Sequence, residues 1–164
     1  VKHRPVFKKC HKEAKDMKDL YSKIKVEQTI APVVGQNEAA PTAVEVDLAG
    51  CNSAVFLIST GVEGSTLDGS NYWTWKMEHA DDDGTGVAGS YANVAAADVL
   101  GVTPSSGIVL TLDANAETPQ ITKIGYVGGK RFVKITPAET GTGPDLPQTV
   151  IVVKGDLADR PPIA

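Results

Sequence analysis

A chain of 164 residues and 17.2 kDa, 41% of it hydrophobic, is sized for one domain with its own core. Aromatic residues make up only 5%, against 16 Gly and 10 Pro, which argues against a helical bundle and for short strands joined by turns. The net charge of −4 is unevenly divided: residues 1–25 carry +6 and the remainder −10, a basic arm on an acidic body.

In FKKCHKEAKDMKDLYSKI the less polar residues fall at Phe7, Cys10, Ala14, Met17, Tyr21 and Ile24. Steps of three and four put them on one narrow helical stripe among lysines, which reads equally as a mobile basic tail or as a segment that orders only on a partner. Such an arm can meet nucleic acid, an acidic protein surface or its own body. Residues 26–43, rich in Pro, Gly and Ala, read as an extended lead-in. From residue 44 the period becomes two. VEVDL (44–48) alternates, SAVFLIST (53–60) reads as a more fully buried run, and YWTWKME (72–78) sets Trp73, Trp75 and Met77 on one face. GIVLTL (107–112), QITKIGYV (120–127), KRFVKIT (130–136) and QTVIVVK (148–154) complete the set, each bounded by turn residues. Only ANVAAADVLG (92–101) suits a short helix or a compact Ala-rich loop. The expected fold is all-β, an antiparallel, jelly-roll-like sandwich with extended termini: arm 1–25, lead-in 26–43, body 44–154, tail 155–164.

Chemistry is sparse. His3, His11 and His79 have no accompanying nucleophile motif, and Cys10-His11 lacks the spaced pairs of a zinc site. Cys10 and Cys51 are expected to stay reduced. DDDGTG (81–86) fails the calcium-loop pattern and reads as a polar turn. No cofactor is expected, and no enzyme activity. No apolar run is long enough for a membrane-spanning helix and no signal-peptide layout is visible, so a soluble, non-exported chain is expected.

IGYVGGKRFVKI (124–135) has the glycines and cations of a phosphate loop but not the Walker spacing, and strand-like residues follow it. A hairpin turned at Gly128-Gly129 would pair Tyr126 with Arg131, Gly125 with Phe132 and Ile124 with Val133. Ile124, Val133 and Ile135 would then face the core, and Lys123, Lys130, Phe132 and Lys134 would form one outward basic stripe, the candidate partner-binding site. One aromatic on an acidic body disfavours single-stranded nucleic acid. A sugar platform of Tyr72, Trp73 and Trp75 competes with the reading of both tryptophans as core.

In order, KIKVEQTIAP, AVEVDLAGCNSAVFLISTG, VAAADVLG and KIGYVGGKRFVKI resemble a family of small tailed-bacteriophage virion proteins encoded among head genes, the capsid cement or decoration proteins. The resemblance runs from about Asp19 to the C-terminus. It implies a β-sandwich body on the outer capsid surface of the virion, made in the host cytoplasm. Its partners would be the major capsid protein and further copies of itself, as dimer or trimer. A head–tail connector or tail-completion protein is the alternative.

Overall fold

The structure, a computed structural model, describes residues 19–35, 40–141 and 145–158. Two antiparallel sheets pack face to face. The first places β1 (Ile24–Gly35), β10 (Leu146–Leu157), β3 (Cys51–Thr60), β8 (Gln120–Tyr126) and β6 (Val99–Leu100) side by side in that order. The second runs β2 (Val46–Asp47), β9 (Phe132–Thr140) and β4 (Tyr72–Ala80), and the other side of β4 is shared by β5 (Ala92–Asn93) and β7 (Ile108–Leu112). Each of the longer strands crosses to the opposite sheet from its predecessor: β3 to β4, β8 to β9, β9 to β10. The all-β sandwich expected from the period-two pattern is the observed architecture.

Strict alternation explains the core. Along β4, Trp73, Trp75, Met77 and His79 are buried, as is the terminal Ala80, with Tyr72, Thr74, Lys76 and Glu78 turned outward. From the first sheet Phe56 and Ile58, Ile124, and Val150 and Val152 meet them, each wholly buried. Val133 and Ile135 of β9 complete the layer beside β4. With few aromatics available, Trp73 and Trp75 supply the largest volume, their rings tilted by 34° at 6.3 Å. Neither has exposed surface on which a sugar ring could stack.

Two expected segments differ. Residues 24–35 of the proposed arm and lead-in form β1, a full edge strand paired to β10 from Ile24↔Gly155 to Gly35↔Leu146. Its apolar pattern is broken by two bulges and by Pro32, which an edge strand tolerates because one side needs no N–H donor. The stripe proposed through Tyr21 and Ile24 does not continue as a helix there. Tyr21–Lys23 is a single 3-10 turn, Tyr21 is exposed and Ile24 is already strand; Phe7, Cys10, Ala14 and Met17 lie outside the described residues. The Ala-rich stretch, expected as a short helix or a compact loop, is a loop with one 3-10 turn, Ala96–Asp98, and its three alanines 95–97 are exposed.

Candidate functional site

The GYVGGKRF stretch crosses between the sheets instead of folding back on itself. β8 ends at Tyr126 in the first sheet, paired to β3, and β9 begins at Phe132 in the second, paired to β2 and β4. The two-residue hairpin loop needs glycines at positive φ, and neither Gly128 nor Gly129 is among the positive-φ glycines. Gly128 serves close approach instead: a Cβ there would lie 2.6 Å from Tyr126 Oη.

Tyr126 anchors the crossing. Its side chain is buried, and its hydroxyl oxygen accepts the Lys130 backbone N–H at 3.2 Å and lies 3.0 Å from His79 Nδ1 on the facing sheet. Burial pushes the phenol pKa upward. The backbone N–H groups of Val127 and Gly128 donate to the Asp98 carbonyl, fixing the crossing chain to the Ala-rich loop.

The proposed stripe is therefore dispersed. Ile124, Val133 and Ile135 do face the core, but from opposite sheets. Phe132 is buried at 2% exposure, with the Arg131 guanidinium 4.8 Å from its ring centroid, so it offers no outward aromatic. Lys123 lies on the outer face of the first sheet, whereas Lys130 lies in the crossing segment and Lys134 in the second sheet, and both are paired within the chain. Lys130 Nζ contacts Asp81. Lys134 Nζ sits 3.4 Å from Glu78 and 3.8 Å from the centre of the Tyr91 ring. Burial opposes ionisation of Glu78, yet Lys76 and Lys134 together hold its carboxyl below the usual range.

Arg131 joins three segments. It grips Asp47 of β2 with Nε and Nη2, at 2.8 and 2.7 Å, and reaches Asp82 of the acidic loop with Nη1. That grip lowers the Asp47 pKa to about 2. The acidic loop is a turn held by its own carboxylates: Asp82 accepts the N–H groups of Gly84 and Gly86, and Asp83 accepts the N–H and the hydroxyl of Thr85. Among the described residues no three His, Cys, Asp or Glu side chains gather to hold a metal ion. Cys51 is a free thiol that donates to the Leu48 carbonyl, and burial pushes its pKa up, away from a reactive thiolate. Cys10, His3 and His11 lie outside the described residues.

The chemically distinctive feature is the contrast between the two outer faces. That of the second sheet carries Tyr72, Thr74, Lys76 and Glu78 from β4 beside Lys134 and Thr136 from β9, polar and internally paired. That of the first is apolar at its centre. One row across it reads Val26, Val153, Val55, Gly125, and Leu100 lies so close over Gly125 that a Cβ there would meet it at 3.2 Å. The next row reads Gln28, Ile151, Leu57, Lys123, and a third Thr149, Ser59, Ile121. Val26, Leu100 and Ile121 are 57%, 59% and 71% exposed. Lys123 is the single charge in these rows. The sequence signal for this face is the near-continuous apolar run in β3 and β10, which points to burial without saying what covers the outer side.

No protein-family model matches the chain, and a comparison with curated proteins gave no match.

Proposed function

We propose that this chain is a structural virion protein of a tailed bacteriophage, one that binds the outside of the head and stabilises the major capsid lattice by bridging neighbouring subunits. The observation that carries a protein-binding role is the apolar outer face of the five-stranded sheet. An antiparallel sheet facing water alternates apolar and polar residues, and this one keeps Val, Ile and Leu on its outer side. The virion setting comes from the resemblance of the VDLAG and IGYVGGKRFVK segments to capsid decoration proteins. Successive long strands alternate between the sheets, an observation that supports reading the sandwich as a jelly roll.

In this role the body is a rigid clip that performs no chemistry. Each contact can be weak, because a lattice repeats it and binding gains by avidity. The basic charge of residues 1–25 suits a second contact with an acidic neighbour. Of the four candidate contact residues, Lys123 stands on the outer face of the five-stranded sheet, Lys130 and Lys134 act through the loops and strand they brace, and Phe132 is buried.

Particles assembled without this protein should lose resistance to heat and to low salt, and adding back the purified chain should restore it. Particles that survive unchanged without it would refute the role. Copy number separates the connector alternative: hundreds per particle fit a lattice protein, whereas about 6 or 12 fit a closed ring.

A further inference from the structure

We propose that the apolar outer face of the five-stranded sheet is covered by the same face of a second copy, related by a two-fold axis that runs along the strand direction between β10 and β3. The inference rests on reading this face as an assembly surface, not on the virion setting.

The first argument is sequence pattern. β4 alternates as a strand with one wet face, whereas AVFLI of β3 and VIVV of β10 run apolar without a break, the pattern of strands covered on both sides. These are the two strands beside the proposed axis. The inner side of each is wholly buried in the sandwich, through Phe56, Ile58, Val150 and Val152. The outer side, Val55, Leu57, Ile151 and Val153, has no cover within the described residues.

The second argument is self-complementarity. A two-fold in the interface plane, parallel to the strands, reverses the order of the columns and keeps the rows. In the middle row Ile151 then faces the partner's Leu57, and Gln28 faces the partner's Lys123. The single charge of the face thus meets an amide oxygen able to accept its N–H groups. In the next row Val153 faces the partner's Val55. Val26 faces the partner's Gly125, over which the exposed Leu100 lies, so that Val26 meets an apolar side chain there. Aligned sheets pack at about 30°, and a rotation of that size about the middle row leaves its central pairs in place.

Size sets the strength. Five strands span about 19 Å, and three rows with their side chains about 20 Å, a footprint of roughly 400 Å² per copy before relief. Two copies would bury about 800 Å² plus the rim, below the standard specific interface, so dissociation is expected in the micromolar range.

Sedimentation equilibrium of the full chain from about 1 to 500 µM spans that range. A reversible monomer–dimer equilibrium is expected. Leu57→Asp, which points outward and should leave the circular dichroism unchanged, should weaken it roughly a hundredfold or more, since symmetry places the carboxylate in the interface twice. The register is tested by Gln28→Glu followed by zero-length carbodiimide coupling. β1 and β8 are three strand spacings apart, about 14 Å, too far for the introduced carboxylate to reach Lys123 in its own chain. A covalent dimer that forms with Gln28→Glu and is lost when Lys123→Met is added supports the arrangement. A chain that stays monomeric throughout overturns it, whether the capsid or residues 1–18 cover the face instead. A dimer indifferent to Leu57→Asp, or one that does not couple, overturns it as well. Binding to particles is scored separately: a monomer that still decorates them sinks the dimer and keeps the virion reading, and a dimer that ignores them does the reverse.

Discussion

Tyr126→Phe isolates the contact that ties the two sheets together at the crossing. The substitution keeps the buried ring and removes one oxygen, which lies 3.0 Å from His79 Nδ1 and accepts the Lys130 N–H at 3.2 Å. The two partners differ in what they can do afterwards. Lys130 is partly exposed, so its N–H can turn to water at a cost of about 0.5 kcal/mol. His79 is buried at 7% exposure, and leaving its nitrogen unpaired costs about 1–2 kcal/mol. The sum is about 2 kcal/mol, which for a domain of this size lowers Tm by roughly 6 °C. Urea unfolding should show a lower midpoint at unchanged slope. The decisive measurement is a double-mutant cycle with His79→Leu. Replacing both partners by apolar groups should recover part of the loss, with a coupling energy of about 1 kcal/mol. A Tyr126→Phe effect below about 0.5 kcal/mol, or a coupling near zero, would mean that Tyr126 merely packs and that the hydroxyl contacts hold nothing.

The two glycines of the crossing should behave differently. Gly128→Ala, with its methyl against the Tyr126 hydroxyl, should cost about 1–3 kcal/mol in urea unfolding, while Gly129→Ala, with nothing within 4 Å, should stay within about 0.5 kcal/mol. Acid stability should depend on Arg131. Asp47 is depressed to about 2 when folded, so its contribution is complete above the unfolded carboxylate value near 3.9 and is lost as pH falls toward about 2. Arg131→Met should accordingly flatten the pH dependence of stability between those values, read by circular dichroism; an unaltered profile would show that the pair does not couple to folding. Lys134→Glu should lower Tm, because it sets a carboxylate beside partly buried Glu78 and removes the cation over Tyr91, whereas Lys123→Glu on the outer sheet face should leave the Tm of the monomer unchanged when it is read well below the micromolar range of the proposed dimer.

Much of the fold could be read from local pattern. Trp73, Trp75 and Met77 recur at every second position, and their burial follows from that period alone. The turn at 81–86 followed from Asp-Gly chemistry, and both Gly84 and Gly86 hold positive φ. What local pattern cannot carry is the partner of each strand. The Gly128-Gly129 pair sits between two strand-like runs as a hairpin loop would, and the feature that decides otherwise is the fit of Gly128 against Tyr126, a contact in space. β1 was hidden for a related reason. Its pattern is broken by bulges after Gln28 and Ile30 and by Pro32, and its pairing is to β10 at the far end of the chain.

The basic stripe failed because sharing a face is a property of topology. Alternation shows that Lys134 points away from Val133 and Ile135, and likewise that Lys123 points away from Ile124. Both deductions hold. Whether the two lysines then look the same way depends on the sheet each strand joins, and in this chain the sheets are stacked about 10 Å apart with their outer faces opposed. An unbroken apolar run is a different kind of signal, because both faces of its strand are apolar whichever sheet it enters. In β3 and β10 the inner face is accounted for by the sandwich. The outer face, with Leu57 and Ile151 at its centre, is not accounted for by the described residues of the sandwich, and that signal does not change when the strand pairing is revised.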